Sequence, residues 1–346
     1  MKVSEISIII PLYNAFDYTK SCLESIFESM KSTKEISFEI IIVDNNSYDL
    51  TESFFKTNQF KNLRYFRMDR NLGFAKACNF GASVSSSKNL YFLNNDTKLF
   101  PSSIPSLWKT LRSSSAIGIV GSRLLYQDLK IQHAGMAADI EYGFKHLFRY
   151  FPAEHPLVTK RRSLQAITGA SLFVSKKNFE TLSGFDESFL NSNEDVDICL
   201  RMKELGKEII YEPESVLIHY ESSSEGRTLS DEKANKQFLE KWKGKFAYDY
   251  YEKTVTYAEK LLTSLKAQND NLSKGFPIYK EKLKVKEYFE NINSILIIED
   301  TLKKYQLEEL LKQKENYIQE LLNSKEYLVG RIFSYPLKKI LSLLKK

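Results

Sequence analysis

The stretch NLYFLNNDT, residues 89–97, decides how the fold is interpreted. Its first part, Leu90 to Leu93, is an apolar run of the length of a buried strand. The run ends at two amides, a carboxylate and a hydroxyl. Because ligands of open α/β sheets bind outside the carboxyl ends of the strands, Asp96 is placed where it can hold Mg²⁺ or Mn²⁺. The alternative is a strand that ends in an ordinary asparagine-rich turn.

Strand-like and helix-like segments alternate before this stretch. Strands are predicted at 6–10, with Pro11 ending the first one, at 38–43 and at 63–67, and helices at 17–30, at 49–60 with Asp49 as the N-cap, and at 74–84. This alternation predicts a doubly wound parallel sheet. Further along, one interrupted strand is predicted at 164–174, two short strands at 209–211 and 216–219, and helices at 194–205 and 231–246.

Four loops at the ends of the early strands carry polar side chains that suit a nucleotide. They are residues 11–14, 44–47, 71–76 and 94–96. Since the carboxyl ends of parallel strands lie on one edge of a sheet, the four loops are expected to line one crevice. Each loop taken alone is equally well explained as turn material.

Three acids lie together where the helix at 194–205 begins: Glu194, Asp195 and Asp197. Packed acids raise the pKa of one another, which suits a general base, whereas the helix dipole favours the ionised form. The alternative is the acidic first turn of an amphipathic helix. His219, which follows a short strand, is either a metal ligand or a structural histidine.

The composition predicts a cytoplasmic protein with a helical C-terminal part. The 346 residues contain three dispersed cysteines, and no signal peptide is expected, because residues 1–5 lead directly into a strand-like run. No apolar run approaches the ~20 residues of a membrane span. Gly and Pro become scarce after residue 248, so the expected domains are 1–248 and a helical extension over 249–346.

The end of the chain is basic. Residues 325–346 hold six Lys or Arg against one Glu, which is +5 of the net charge of +6. With its apolar face, this end is expected to bind an anionic membrane surface, at the inner face of the cell membrane, rather than nucleic acid. The alternative is a helix that docks on the protein itself. A leucine-rich stripe over 296–322 leaves a homo-oligomer open.

The motifs together resemble those of the family 2 glycosyltransferases. The matching pieces are PLYN (11–14), VDNNS (43–47), NLGFAKACNFG (71–81), LNND (93–96), TGASLFV (168–174), GFDESF (184–189) and EDVDICLR (194–201). The resemblance spans about residues 6–246 and is strongest to the rhamnosyltransferase- and galactofuranosyltransferase-like branch. It implies an inverting enzyme with a GT-A fold, which is a Rossmann-like domain for nucleotide-diphospho-sugars.

The resemblance also implies roles for individual residues. Asp195 would be the general base, and Asp96 with His219 would hold the divalent metal, Mg²⁺ or Mn²⁺. The family's Asp-x-Asp metal motif has Asn94 in its first place here. The donor nucleotide would be bound by Pro11, Tyr13, Asn14, Asp44, Asn46, Lys76 and Asn94, and the acceptor or sugar by Gly169 and Glu194.

Such an enzyme would move a sugar from a UDP- or dTDP-sugar to a hydroxyl of a glycan or lipid-linked glycan, in bacterial surface polysaccharide or lipopolysaccharide biosynthesis. The acceptor hydroxyl must lose its proton as it attacks, so a base is required. Two alternatives stay open. A nucleotidyltransferase would need a Gly- and Arg-rich phosphate loop where this chain has PLYN at 11–14. A non-catalytic partner in glycan assembly would keep the fold alone.

Overall fold

The computed structural model describes residues 4–256, with gaps at 32, 34, 59, 140–142, 190–191, 222–226 and 251, and residues 258–260, 263–264, 266–267, 299–300 and 302–303. The chain divides into two compact units, Met1–Tyr257 and Ala258–Lys346. The first unit contains the sheet and every predicted site residue. In the second, the described residues are helical, and Lys266 pairs with Glu299 at 2.5 Å.

Twelve strands occur in the described part of the first unit. They are β1 (Ile6–Leu12), β2 (Phe38–Asp44), β3 (Leu63–Arg67), β4 (Asn89–Leu93), β5 (Thr97–Leu99), β6 (Ile117–Leu125), β7 (Ile131–His133), β8 (Met136–Asp139), β9 (Gly143–His146), β10 (Arg162–Leu164), β11 (Ser171–Ser175) and β12 (Glu208–His219). One sheet has the order β10-β12-β6-β11-β4-β1-β2-β3, with β5 paired to β12 and β7 to β6. The other two strands, β8 and β9, form a separate antiparallel pair.

Helices cover both faces of the large sheet. They are α1 (Phe16–Met30), α2 (Thr51–Thr57), α3 (Phe74–Val84), α4 (Ser103–Arg112), α5 (Lys176–Thr181), α6 (Glu194–Glu204) and α7 (Arg227–Trp242), and a short π-helical turn follows at Glu252–Thr256. Alternate residues of β1 enter two different cores: Ile9 lies in the core that includes α3 and α6, and Ile8 in the core that includes α1 and α4. Because both faces are buried, the strand is a continuous apolar run.

The parallel part of the sheet ends at β4. The strands β4, β1, β2 and β3 are parallel neighbours, as the alternation predicted. The prediction of a wholly parallel sheet is wrong, because β11 is antiparallel to both β4 and β6. The single strand predicted at 164–174 is two strands, β10 and β11, and the segment that joins them contains Thr168–Ala170. Since Ser171 lies opposite Leu93, the end of this segment lies beside the loop that follows β4.

The first strand continues through Pro11 to Leu12, so its predicted end at residue 10 is wrong. In a strand with parallel neighbours on both sides, the backbone N–H and C=O of one residue point to one neighbouring strand and those of the next residue point to the other. Leu12 O accepts the N–H of Asn45 beside β2, so Pro11 faces the β4 side. The pairing of β1 with β4 ends at Ile9, and the proline therefore removes no hydrogen bond from the ladder.

Other boundaries also differ from the prediction. One strand, β12, replaces the two short strands predicted at 209–211 and 216–219, because a register shift against β6 between Glu212 and Val216 accommodates the polar residues there. The second helix ends at Thr57 rather than at residue 60, and its N-cap is Leu50 rather than Asp49. The carboxylate of Asp49 accepts the N–H of Thr51 at 3.0 Å and the first N–H of α1, from Phe16, at 3.0 Å. The last helix, α7, lies four residues earlier than predicted at both ends.

The predicted stripe at 296–322 and the basic end at 325–346 lie outside the described residues, apart from helical residues at 299–300 and 302–303. Within the described part of the chain, every helix is too short or too polar to cross a membrane.

Candidate active site

The polar loops at the strand ends are hydrogen-bonded to one another. The backbone N–H of Asn14 donates to Ser47 Oγ at 2.7 Å, and Asn95 Nδ2 donates to Asn14 O at 3.3 Å. The side chain of Asn45 donates to Gly73 O at 3.3 Å. These bonds join the loops that follow β1, β2, β3 and β4, so the expectation that they line one edge of the sheet is confirmed.

Asp44 ends β2 with a fully buried carboxylate. Its Oδ1 accepts the N–H of Ser47 at 2.8 Å, and its Oδ2 accepts Tyr65 Oη at 2.5 Å and Arg67 Nη1 at 2.9 Å. Burial raises the pKa of Tyr65, so the phenol stays protonated and donates. Arg67 also donates to Asn46 Oδ1 at 2.7 Å. The guanidinium of Arg67 is partly exposed, whereas the carboxylate of Asp44 is fully buried, so Arg67 is the member of this pair that a ligand could reach.

The sequence did not point to Tyr65 or Arg67, although Arg67 ends a predicted strand at the correct edge. Other predicted donor residues are placed as follows. Pro11 is buried within β1, Lys76 lies in the first turn of α3, and Tyr13 is exposed and packs edge-on against Tyr48, with 6.0 Å between the ring centroids.

Asp96 and His219 meet beyond the end of β4. Asp96 Oδ1 lies 3.2 Å from His219 Nε2, and Asn94 Nδ2 lies 3.4 Å from the same nitrogen. The other ring nitrogen, Nδ1, lies 2.8 Å from Gln132 Oε1. Because Gln132 Nε2 donates to His219 O at 3.2 Å, Oε1 is the acceptor and Nδ1 carries the proton. In the neutral ring, Nε2 therefore turns its lone pair towards Asp96.

This pair fits a divalent cation. A lone pair of imidazole and a carboxylate oxygen 3.2 Å apart are two acceptors that can bind the same cation. Two ligands at right angles on one ion lie about 3 Å apart, since each bond is about 2.1 Å. Among the described residues, no group of three or more His, Cys, Asp or Glu could hold a metal. Further ligands, such as diphosphate oxygens, would have to complete the shell.

Asp195 lies in the first turn of α6 and is partly exposed. The N–H of Gly169 donates to its Oδ2 and the N–H of Val196 to its Oδ1, both at 2.8 Å. Burial among the surrounding protein atoms raises the pKa of Asp195, and these backbone bonds oppose the rise. Packed acids were the predicted cause of the raised pKa, whereas burial is the cause found. The result is a carboxylate held in one orientation with a raised affinity for protons.

Gly169 allows the close approach that this arrangement needs. A Cβ there would lie 3.2 Å from Asp195 Cβ and 3.3 Å from the ring of Phe74. The next residue, Ala170, accepts the N–H of Asn94 at 3.1 Å. The segment that holds Asp195 is thus bonded to the loop that carries Asp96, so the candidate base and the candidate metal pair share one scaffold.

The three acids of α6 have different surroundings. Glu194 is buried in the first turn, next to Asp195 in the chain. Asp197 is fully buried: Arg201 donates to its Oδ2 at 2.7 Å, and its Oδ1 receives Trp242 Nε1 at 2.9 Å and Lys241 Nζ at 2.6 Å. Asp197 therefore binds α6 to the end of α7, which is a structural role.

We predict that Asp197→Ala lowers the free energy of unfolding by about 3 kcal/mol, because two cations lose a buried counter-charge. Urea unfolding followed by circular dichroism measures this. The matched variant Asp195→Asn keeps an oxygen for the N–H of Gly169 and loses only the acceptor of the Val196 N–H, so its midpoint should fall less than that of Asp197→Ala. Equal midpoints for Asp197→Ala and the wild type would contradict the structural role.

Known proteins can be compared with this geometry. The crystal structure of GalNAc-T7 with UDP, GalNAc and Mn²⁺ superposes with a TM-score of 0.57 at 16% identity, over 86% of this chain and 56% of the other. This likeness shows the fold, and the first unit is a GT-A domain. Residues 7–153 match the family model described as Glycosyl transferase family 2. The match agrees with the family that the motifs predicted.

Two relatives extend the match. The O-antigen biosynthesis protein RfbC of Myxococcus xanthus is 28% identical over 64% of this chain, and this chain spans 18% of its length. The N-acetylglucosaminyl-diphospho-decaprenol L-rhamnosyltransferase of Mycobacterium tuberculosis (strain CDC 1551 / Oshkosh) is 23% identical over 59% of this chain and 74% of its own length. Both names refer to glycan or lipid-linked glycan biosynthesis, and this chain spans only about a fifth of the first.

Proposed function

We propose that this protein is an inverting glycosyltransferase that moves a sugar from a nucleotide-diphosphate sugar, a UDP- or dTDP-sugar, to a hydroxyl of a glycan or lipid-linked glycan. One observation carries the proposal: Asp195 is held by Gly169, the next residue is bonded to the loop of Asp96, and Asp96 lies 3.2 Å from His219. A base and a metal pair on one scaffold suit a single displacement at an anomeric carbon, because the base takes the acceptor's proton and a cation stabilises the leaving diphosphate. Bacterial surface polysaccharide or lipopolysaccharide biosynthesis is the setting that the two relatives support.

The reaction assigns a task to each group. The acceptor hydroxyl gives its proton to the Asp195 carboxylate while its oxygen attacks the anomeric carbon. The bond from that carbon to the diphosphate breaks on the opposite side, and the nucleoside diphosphate leaves. Asp96 and His219 would hold a divalent cation, Mg²⁺ or Mn²⁺, which neutralises the charge that develops on the diphosphate. Arg67 and Asn46 would face the nucleoside, and Gly169 and Glu194 would lie near the sugar or acceptor.

The proposal is tested by incubating the purified protein with Mg²⁺ or Mn²⁺ and a panel of nucleotide sugars, and by measuring the released nucleoside diphosphate. We expect slow, metal-dependent release with one donor. Release of pyrophosphate from a nucleoside triphosphate and a sugar phosphate would instead identify a nucleotidyltransferase. Binding of nucleotide sugars without turnover, even with extracts containing glycan acceptors, would identify a non-catalytic partner.

A lipid-linked acceptor would give the basic C-terminal end a purpose, namely peripheral attachment to the inner face of the cell membrane. This part of the proposal rests on the sequence of residues 325–346. We predict that the full chain floats with liposomes containing anionic lipids and that a variant lacking residues 330–346 does not. Uncharged liposomes are the control. Flotation of the shortened variant to the same extent would reject the attachment.

A further inference from the structure

Strand β7 carries two polar residues, of which one contacts the candidate metal pair and the other contacts the segment that holds the candidate base. Gln132 and His133 are both buried, at 3% and 0% exposure. Being consecutive in a strand, they point to opposite faces. The polar groups that they contact belong to different parts of the site, so this short strand connects them.

Gln132 contacts His219 with both ends of its amide. Nε2 donates to the backbone oxygen at 3.2 Å, and Oε1 accepts the ring Nδ1–H at 2.8 Å. This double contact sets both the tautomer and the rotation of the ring. Since the partner of a ligating histidine orients the other nitrogen, Gln132 determines that Nε2 faces Asp96.

His133 contacts the Thr168–Gly169 segment, which holds the candidate base. The N–H of Thr168 points to His133 Nε2 at 3.4 Å, and His133 Nδ1 lies 3.0 Å from His146 Nδ1. Burial lowers the pKa of His133 well below its usual value and lowers that of His146 to about 4, so both rings are neutral. Each neutral ring has one donor and one acceptor. Because Thr168 occupies the acceptor of His133, Nδ1–H donates to His146, and the direction of the chain of bonds is determined.

The N–H that follows Thr168 is the one that holds the base. Thr168 donates to His133, and Gly169 donates to Asp195 Oδ2. Two consecutive backbone N–H groups thus donate to His133 and to Asp195. If the bond to His133 is lost, the peptide of Thr168 can rotate, and the donor on Gly169 is no longer held towards the carboxylate.

We propose that Gln132 and His133 are positioning residues for two different functions of the active site: Gln132 orients His219 for the cation, and His133, supported by His146, orients the Thr168–Gly169 segment for Asp195. The inference rests on the proposed function. It differs from a purely structural role, in which both residues would only satisfy buried polar groups, because it predicts that the two variants change different quantities.

The test compares apolar and conservative variants. Gln132→Leu should weaken Mn²⁺ binding, measured by electron paramagnetic resonance in the presence of uridine or thymidine diphosphate, by about tenfold to a hundredfold, as for other partners of metal ligands. Gln132→Glu keeps an acceptor for Nδ1–H and should bind Mn²⁺ more tightly than Gln132→Leu. His133→Leu should leave Mn²⁺ binding unchanged but lower kcat about tenfold or more, with little change in the KM for the donor.

The rescue and the control separate positioning from folding. His133→Gln places an oxygen where Nε2 accepts the N–H of Thr168 and should recover most of the lost kcat. His155 is buried elsewhere, where its Nδ1 accepts the N–H of Leu157 at 3.1 Å, so His155→Leu should change thermal stability without changing Mn²⁺ binding or kcat. The inference is overturned if Gln132→Leu and His133→Leu alter the same quantity equally, or if both match His155→Leu. Absence of nucleoside diphosphate release by the wild type would instead overturn the proposed function, and the Mn²⁺ measurement would still decide the role of Gln132.

Discussion

Asp195→Asn is expected to lower the turnover number about 10³-fold, because proton transfer by a positioned side chain contributes 10²–10⁴-fold and an amide cannot accept the acceptor's proton. The variant keeps a carbonyl oxygen for the N–H of Gly169 and loses the acceptor of the Val196 N–H, so its unfolding midpoint should fall slightly while its nucleotide affinity stays close to that of the wild type. Initial rates of nucleoside diphosphate release at saturating donor measure the effect. A variant with more than about a tenth of the wild-type turnover would show that another group takes the proton.

The acidity of Asp195 adds a pH dependence to the same assay. The base acts only when it is deprotonated, and burial raises its pKa above that of an ordinary aspartate. Activity should therefore be lost on acidification at a higher pH than an exposed aspartate would give. A wild-type profile that is flat down to the ordinary range of aspartate would contradict the raised pKa.

Asp96→Ala is expected to remove the activation by Mn²⁺ or Mg²⁺ and to lower turnover by about 10²-fold or more, as loss of a group that stabilises transition-state charge does elsewhere. The reason is that Asp96 and His219, whose facing atoms lie 3.2 Å apart, are the two candidate metal ligands, and the variant would keep only His219. Titration of the release rate with Mn²⁺ measures it. Asp128→Ala is the matched control, since Asp128 is exposed and pairs only with nearby Lys130 among the contacts described. A normal Mn²⁺ response in Asp96→Ala would place the metal elsewhere.

The parts of the fold that the sequence predicts well are those buried on both faces. In β1 and β4, continuous apolar runs could be recognised because parallel strands in the middle of a sheet face two cores. The errors have local physical causes. A proline usually ends a strand. Pro11 does not, because the N–H that it lacks would point to a position where β4 no longer pairs with β1. The strand β12 carries polar residues at a bulge, so its single strand resembles two.

The site was predictable where residues lie at strand ends and unpredictable where long-range contacts decide. Asp195 and Asp197 are the same residue type and lie two residues apart in the chain, and only the approach of Trp242 and Lys241 shows that Asp197 is structural. Gln132 gave no signal at all, because its importance comes from His219, distant in the chain. The pairing of Arg67 with Asp44 likewise needs the register of β2 with β3.

The anomeric configuration of the first product tests the account most directly. With the donor found in the nucleotide-sugar panel, proton NMR during the first turnovers shows whether the sugar that reaches the acceptor, or water, has the same configuration as in the donor. The account predicts inversion, because Asp195 deprotonates an attacking oxygen opposite the departing diphosphate. Retention of the donor's configuration would contradict the single displacement and the role of Asp195 as its base.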